Sequence, residues 1–159
     1  MESYQFKGYL LRPSLASDLE LARLWTARDP DHAGRVDPGF WLSQGRYAQA
    51  YLLSDADGPV FFFKGVVRPR EAAIEVHIQF PPDEDEPLRN MRRRRISQGL
   101  IEGLAWLEER MLAKMVTEII FESSTPALIR FSKRHLGFTH ENGKLRKQLP
   151  LHQLAKAGD

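Results

Sequence analysis

Three apolar runs with only turn residues between them restrict this chain more than any other feature. "AYLLS", "VFFFKGVV" and "AAIEVHIQF" lie within residues 50 to 80, separated by "DADGP" and "RPRE". β-Branched and aromatic residues in runs of this length form strands, and Asp, Gly and Pro between them reverse the chain. The stretch therefore predicts a three-stranded meander, its last strand Ala72 to Phe80 stopped by Pro81-Pro82. Beyond an acidic loop, "PPDEDEPLRN", and four consecutive arginines, Ile96, Leu100, Gly103, Leu104, Leu107 and Met111 recur on one helical face. That spacing predicts a long helix, starting beside the arginines and running to about Lys114. "VTEIIFE" then reads as a compact buried strand. A meander feeding a β-α-β crossover implies a mixed, mostly antiparallel central sheet flanked by helices, in the α/β (α+β) class.

The flanking segments fit the same plan. Phe6 to Arg12 reads as a first strand ended by Pro13, and Ser17 to Glu20 has the spacing of a capping box. Leu21, Leu24, Trp25 and Arg28 follow at helical spacing, and Asp37-Pro38 opens a short second helix through Phe40 and Trp41. Thr125-Pro126 starts a late helix that Gly137 ends, and Asn142-Gly143 is a strong hairpin signal. A chain of 159 residues, 42% hydrophobic and 28% charged, is sized for one core. We expect a single domain over 1–150 and a tail over 151–159.

Several chemistries drop out. With no cysteine there is no disulfide, thiol nucleophile or thiolate zinc site, which fits a reducing compartment. No leader pattern and no apolar run near roughly 18 residues is present, so no membrane is expected and the cytoplasm is the expected location. His32, His77, His135, His140 and His152 show no metal-ligand spacing, and no metal is expected. The net charge is only +2. Over residues 83–95 four acids stand against five arginines, leaving +1, a short and compensated patch that argues against nucleic acid. Successive helical residues point around the whole cylinder, so some of these arginines face solvent or pair with "DEDE".

Period-two alternation puts Glu71, Ala73, Glu75, His77 and Gln79 on one face of the third meander strand. Glu75 and His77 there are either a general base or hydrated groups at a meander edge. Trp41 is either packed or beside an acceptor cleft.

The element order, together with "YLLRPSLASDLELARLW" (9–25) and "STPALIRFSKRHLGF" (124–138), resembles the GNAT superfamily of N-acetyltransferases over roughly residues 6–149. The resemblance implies acetyl-CoA (coenzyme A) as acetyl donor and an amine acceptor, a small molecule or a protein. It leaves a homodimer or a larger assembly open. The family's pyrophosphate loop has Arg or Gln, two spacers, Gly, a spacer, then Gly or Ala at a helix start. Here Arg92 takes the first position, Arg95 the first Gly position and Ser97 the second. The implied phosphate contacts are Arg92, Arg93, Arg94, Arg95, Ile96 and Ser97, with arginine side chains in place of a close glycine backbone. The backbone of Gln79 and Phe80 is the implied acyl-thioester contact, Glu75 stands at the implied base position with His77 an equally good base by its intrinsic chemistry, and Ser124 or Thr125 takes the place of an Asn before the late helix. The family's Tyr on that helix is missing from "RFSKRHLGF", where Ser132 or His135 could stand in. Two departures from the signature keep a second function in view, a GNAT-fold protein without catalysis that serves as a binding or structural component.

Overall fold

The computed structural model describes residues 2–150; the expected tail at 151–159, with His152, lies outside them. Strands β1 (Tyr4–Phe6), β2 (Tyr9–Pro13), β3 (Ala48–Asp55), β4 (Gly58–Arg68), β5 (Ala73–Gln79), β6 (Glu118–Glu122), β7 (Thr139–Glu141) and β8 (Lys144–Gln148) form one eight-stranded sheet in the order β1-β2-β3-β4-β5-β6-β8-β7. Its helices are α1 (Leu19–Ala27), α2 (Leu88–Ala113) and α3 (Pro126–His135). The β1–β2, β2–β3, β6–β8 and β7–β8 pairs are antiparallel, and β5–β6, the two ends of the crossover, are parallel. Among the described residues no helix is long and apolar enough to cross a membrane.

Two compact units divide the chain, residues up to 64 together with 78–102, and 65–77 together with the described residues from 103 on. In the first, Ala22, Trp25, Trp41, Leu52 and Phe62 form a core cluster, Trp25 meeting Phe62 edge-on at 5.5 Å. Trp41 is only 1% exposed, so it is a packing residue and does not face a cleft. It belongs to a 3₁₀ turn, Pro38–Trp41, capped by Asp37, whose carboxylate accepts from the Gly39 N–H at 2.8 Å. Lys64 anchors that turn from β4, donating to the Phe40 carbonyl at 2.9 Å and to Ser43 Oγ at 2.7 Å. Burial holds its pKa below the ordinary lysine value. The second unit buries Leu107, Met111, Val116, Ile119, Phe138 and Leu145, with Phe121 edge-on to Phe138 at 4.9 Å.

Three expectations need correction. The opening strand is a hairpin: Lys7 (φ 52°) and Gly8 (φ 84°) turn the chain between β1 and β2. The first helix is not capped by Ser17. Asp18 occupies the position before α1 and accepts from the Leu15 N–H at 2.7 Å. Finally, α2 does not start beside the arginines but at Leu88, four residues before the first of them. Its opening residues, Leu88 and Met91, are exposed, so no apolar stripe marked that turn. The meander, β6, the late helix and the Asn142-Gly143 hairpin form where their patterns placed them.

Candidate active site

The helix start decides what Arg92 to Ser97 can offer a ligand. Only the first four N–H groups of a helix lack an intrahelical acceptor. In α2 these belong to Leu88 through Met91, and the Leu88 N–H already donates to the Asp85 carbonyl at 3.1 Å. Past that point any phosphate contact has to come from side chains.

Those side chains are mostly engaged. Arg92 bonds Glu84, its Nε at 3.1 Å from Oε1, and Arg93 reaches Asp83 Oδ2 at 2.8 Å. The Arg93 guanidinium holds the Asp83 carboxyl below the usual carboxylate range. Arg95 turns the other way, to Asp55 and the Gly58 carbonyl in the β3–β4 hairpin. Arg94 is exposed and has no acidic partner among the described residues. Ile96 and Ser97 are half-buried on the helix. The four arginines thus form no single cluster, although three stay near the open end of α2.

Glu75 and His77 do come together. His77 Nε2 lies 2.8 Å from Glu75 Oε1, and Arg68 bonds the other oxygen of Glu75. The two side chains are about a third exposed. Ser124 precedes α3 on the surface, and Pro126 takes the first helical position behind Thr125. Of the stand-ins for a Tyr, Ser132 is fully buried within α3, whereas His135 is exposed, its ring tilted against that of Phe131 at 5.0 Å.

The ladder between β5 and β6 is short. It runs from Ala73↔Glu118 to Glu75↔Ile120, and both strands continue past that last pair, to Gln79 and Glu122. Among the described residues no group of three or more His, Cys, Asp or Glu side chains is placed to hold a metal.

One polar cluster escaped the sequence reading. Gln79, at the end of β5, is fully buried. Its amide donates to Asp29 Oδ2 at 2.9 Å and to the Phe80 carbonyl at 3.0 Å, while its Oε1 lies 2.7 Å from His32 Nδ1. Asp29 and His32 belong to "RDPDHAG", after α1, and His32 lies 47 residues from Gln79 in the chain. No short motif could reveal this. The strand itself showed only a third polar residue, Gln79, on the face that carries Glu75 and His77.

No protein-family sequence profile matches the chain. Comparison with curated protein sequences gives no match either. Solved structures are similar in fold. The ribosomal L7/L12 α-N-protein acetyltransferase RimL, in complex with coenzyme A, superposes with a TM-score of 0.61 at 16% identity, over 94% of this chain and 99% of that one. The ribosomal-protein-S18-alanine N-acetyltransferase from Escherichia coli gives 0.58 at 16%, over 89% and 94%. A chimera of spermidine N-acetyltransferase from Vibrio cholerae and hSSAT gives 0.58 at 12%, over 94% and 99%. This chain has the fold of the GNAT N-acetyltransferases.

Proposed function

We propose that the chain is an acetyl-CoA-dependent N-acetyltransferase, moving an acetyl group onto an amine by direct attack within a ternary complex. The observation that carries the reading is the early end of the β5–β6 ladder at Glu75↔Ile120. A parallel pair that stops pairing while a strand runs on leaves ladder positions from Val76 without a β6 partner. Backbone groups of that kind are suited to hydrogen-bonding an acyl thioester and the oxyanion that forms from it. Gln79 and Phe80, at the end of the same strand, are the backbone positions assigned to that contact.

Acetyl-CoA is the acetyl-donor substrate, and its diphosphate would be met by the side chains of Arg92, Arg93 and Arg94, with the α2 N-terminus behind them. Arg95, committed to Asp55, would help only through its charge. The acceptor is an amine; proteins of this fold are named for ribosomal proteins and for spermidine, so a protein or a small polyamine both suit the class. Glu75 and His77, bonded to each other, are one candidate base.

A second reading has its own support. Arg92, Arg93 and Arg95 each already have a carboxylate partner, and the backbone of 92–97 lies inside the helix. On that reading the fold is kept for binding within an assembly without catalysis. Calorimetric titration with acetyl-CoA and with coenzyme A at moderate salt separates the two. Saturable binding in the micromolar to low-millimolar range is expected; its absence sinks the enzyme reading.

A further inference from the structure

The Asp29–His32–Gln79 cluster has a fixed proton arrangement. The amide nitrogen of Gln79 faces two groups that can only accept, the Asp29 carboxylate and the Phe80 carbonyl. That orients the amide and leaves Oε1, also only an acceptor, 2.7 Å from His32 Nδ1. Nδ1 therefore carries the proton and Nε2 carries the lone pair. Asp29 Oδ2 lies 3.2 Å from the same Nδ1, a second acceptor facing that nitrogen. Asp29 is itself held, its Oδ1 accepting from the Asp31 N–H at 2.9 Å. The imidazole also packs near the buried Trp41 ring, at 5.8 Å. His32 Nε2 makes no hydrogen bond or ion pair among the described residues, and 26% of the side chain is exposed. Glu75, by contrast, already serves both Arg68 and His77.

We propose that His32 is the catalytic base for an aliphatic amine acceptor, with Gln79 and Asp29 as positioning residues that fix its tautomer. The proposal rests on the acetyltransferase reading and extends it. The acceptor ammonium gives one proton to Nε2 of His32, and the freed nitrogen lone pair forms the C–N bond to the acetyl carbonyl carbon. The C–S bond breaks with its electron pair going to sulfur. The second proton shed by the acceptor nitrogen ends on that thiolate as the thiol, and the proton on His32 passes to water. It also explains why a fully buried glutamine ends β5. Its side chain aims the base from the residue whose backbone lies where the thioester is assigned.

Two measurements test this. The first is the ¹⁵N spectrum of the histidine rings, with His32→Asn used to assign the resonance. A protonated Nδ1 and bare Nε2 are expected at His32, changing in Gln79→Leu; a ring protonated at Nε2 overturns the proposal whatever the kinetics show. The second measures coenzyme A release from acetyl-CoA with n-butylamine, spermidine and a short peptide with a free amino terminus. His32→Ala is expected to bind acetyl-CoA as wild type does and to lose about 100-fold or more in kcat, the scale of general-base catalysis, with partial rescue by free imidazole. A His32→Ala protein within threefold of wild-type kcat overturns the proposal and leaves the acetyltransferase reading standing. So does an acetyl-CoA affinity that falls with no imidazole rescue, because the histidine is then structural. A wild-type protein that acetylates none of the three amines overturns both.

Discussion

Arg95 on α2 and Asp55 at the end of β3 form a two-pronged ion pair, Nε to Oδ2 at 2.8 Å and Nη2 to Oδ1 at 2.6 Å, between residues 40 apart in the chain. Each side chain is less than a fifth exposed. The guanidinium holds the Asp55 carboxyl below its usual range, chiefly through these hydrogen bonds. A charge-assisted pair of this kind contributes roughly 1–3 kcal/mol. Arg95→Ala is expected to lower the free energy of unfolding by that amount in urea denaturation. In the double variant with Asp55→Ala the loss should be smaller than the sum of the two single losses. A loss under about 0.5 kcal/mol would reduce the contact to an ordinary surface pair.

Arg12 and Asp18, the basic residue before Pro13 and the acid before α1, are a second such pair, at 2.8 and 2.7 Å. Hydrogen bonds from Arg12, then the Leu15 N–H, pull the Asp18 pKa down against the effect of burial. A carboxyl lowered in the fold adds stability that is complete above its unfolded pKa, about 3.9, and disappears as pH falls through the lower folded value. Asp18→Asn is therefore expected to be less stable than wild type at pH 7, with the difference narrowing below about pH 4. Denaturation across pH 2 to 7 reads this directly, and a gap independent of pH would contradict it.

Gly99 of α2 faces side chains of β3 and β4. A Cβ there would lie 3.2 Å from Leu53 and from Phe61, and 3.3 Å from Val60. Alanine in a helix interior ordinarily gains about 1 kcal/mol over glycine. All three neighbours are almost completely buried, so displacing them is an overpacking cost of about 1–3 kcal/mol that is expected to outweigh that gain. Gly99→Ala is expected to unfold at a lower temperature than wild type, whereas Gly103→Ala, with open space around its Cβ, should be neutral or stabilising.

Glu84 occupies Arg92, and Asp83 occupies Arg93. If a diphosphate takes their place, removing an acid should tighten binding. Glu84→Gln is expected to lower the acetyl-CoA Kd several-fold, and Arg94→Glu to raise it about tenfold or more, both by calorimetry. Unchanged affinity in both would move the phosphate site away from this end of α2.

The sheet was legible because its strands alternate or run apolar and its turns carry Asp, Gly and Pro. The β1–β2 turn was hidden, because Lys7 takes a left-handed backbone conformation that its side chain does not announce. The early start of α2 was hidden too, since Leu88 and Met91 leave no apolar stripe there. On the site, the pairing of Glu75 with His77 followed from strand alternation. The partners of the arginines could not be read in the same way. Arg95 meets Asp55 and His32 meets Gln79 only because the fold joins positions 40 and 47 residues apart. Spacing within a motif carries no information about such pairs.

The acids at 83 and 84 reach the arginines through a tether of a few residues that includes Pro87. They therefore compete with any incoming phosphate at an effective concentration set by that tether, millimolar for short flexible links. A donor present well below that level would find Arg92 and Arg93 closed to it unless its other contacts made up the difference. On the proposed donor site, the length and stiffness of residues 85–87 would then set the donor concentration at which Arg92 and Arg93 are released. Lengthening that segment with Gly-Ser, without touching one arginine, should shift the half-saturation point downward.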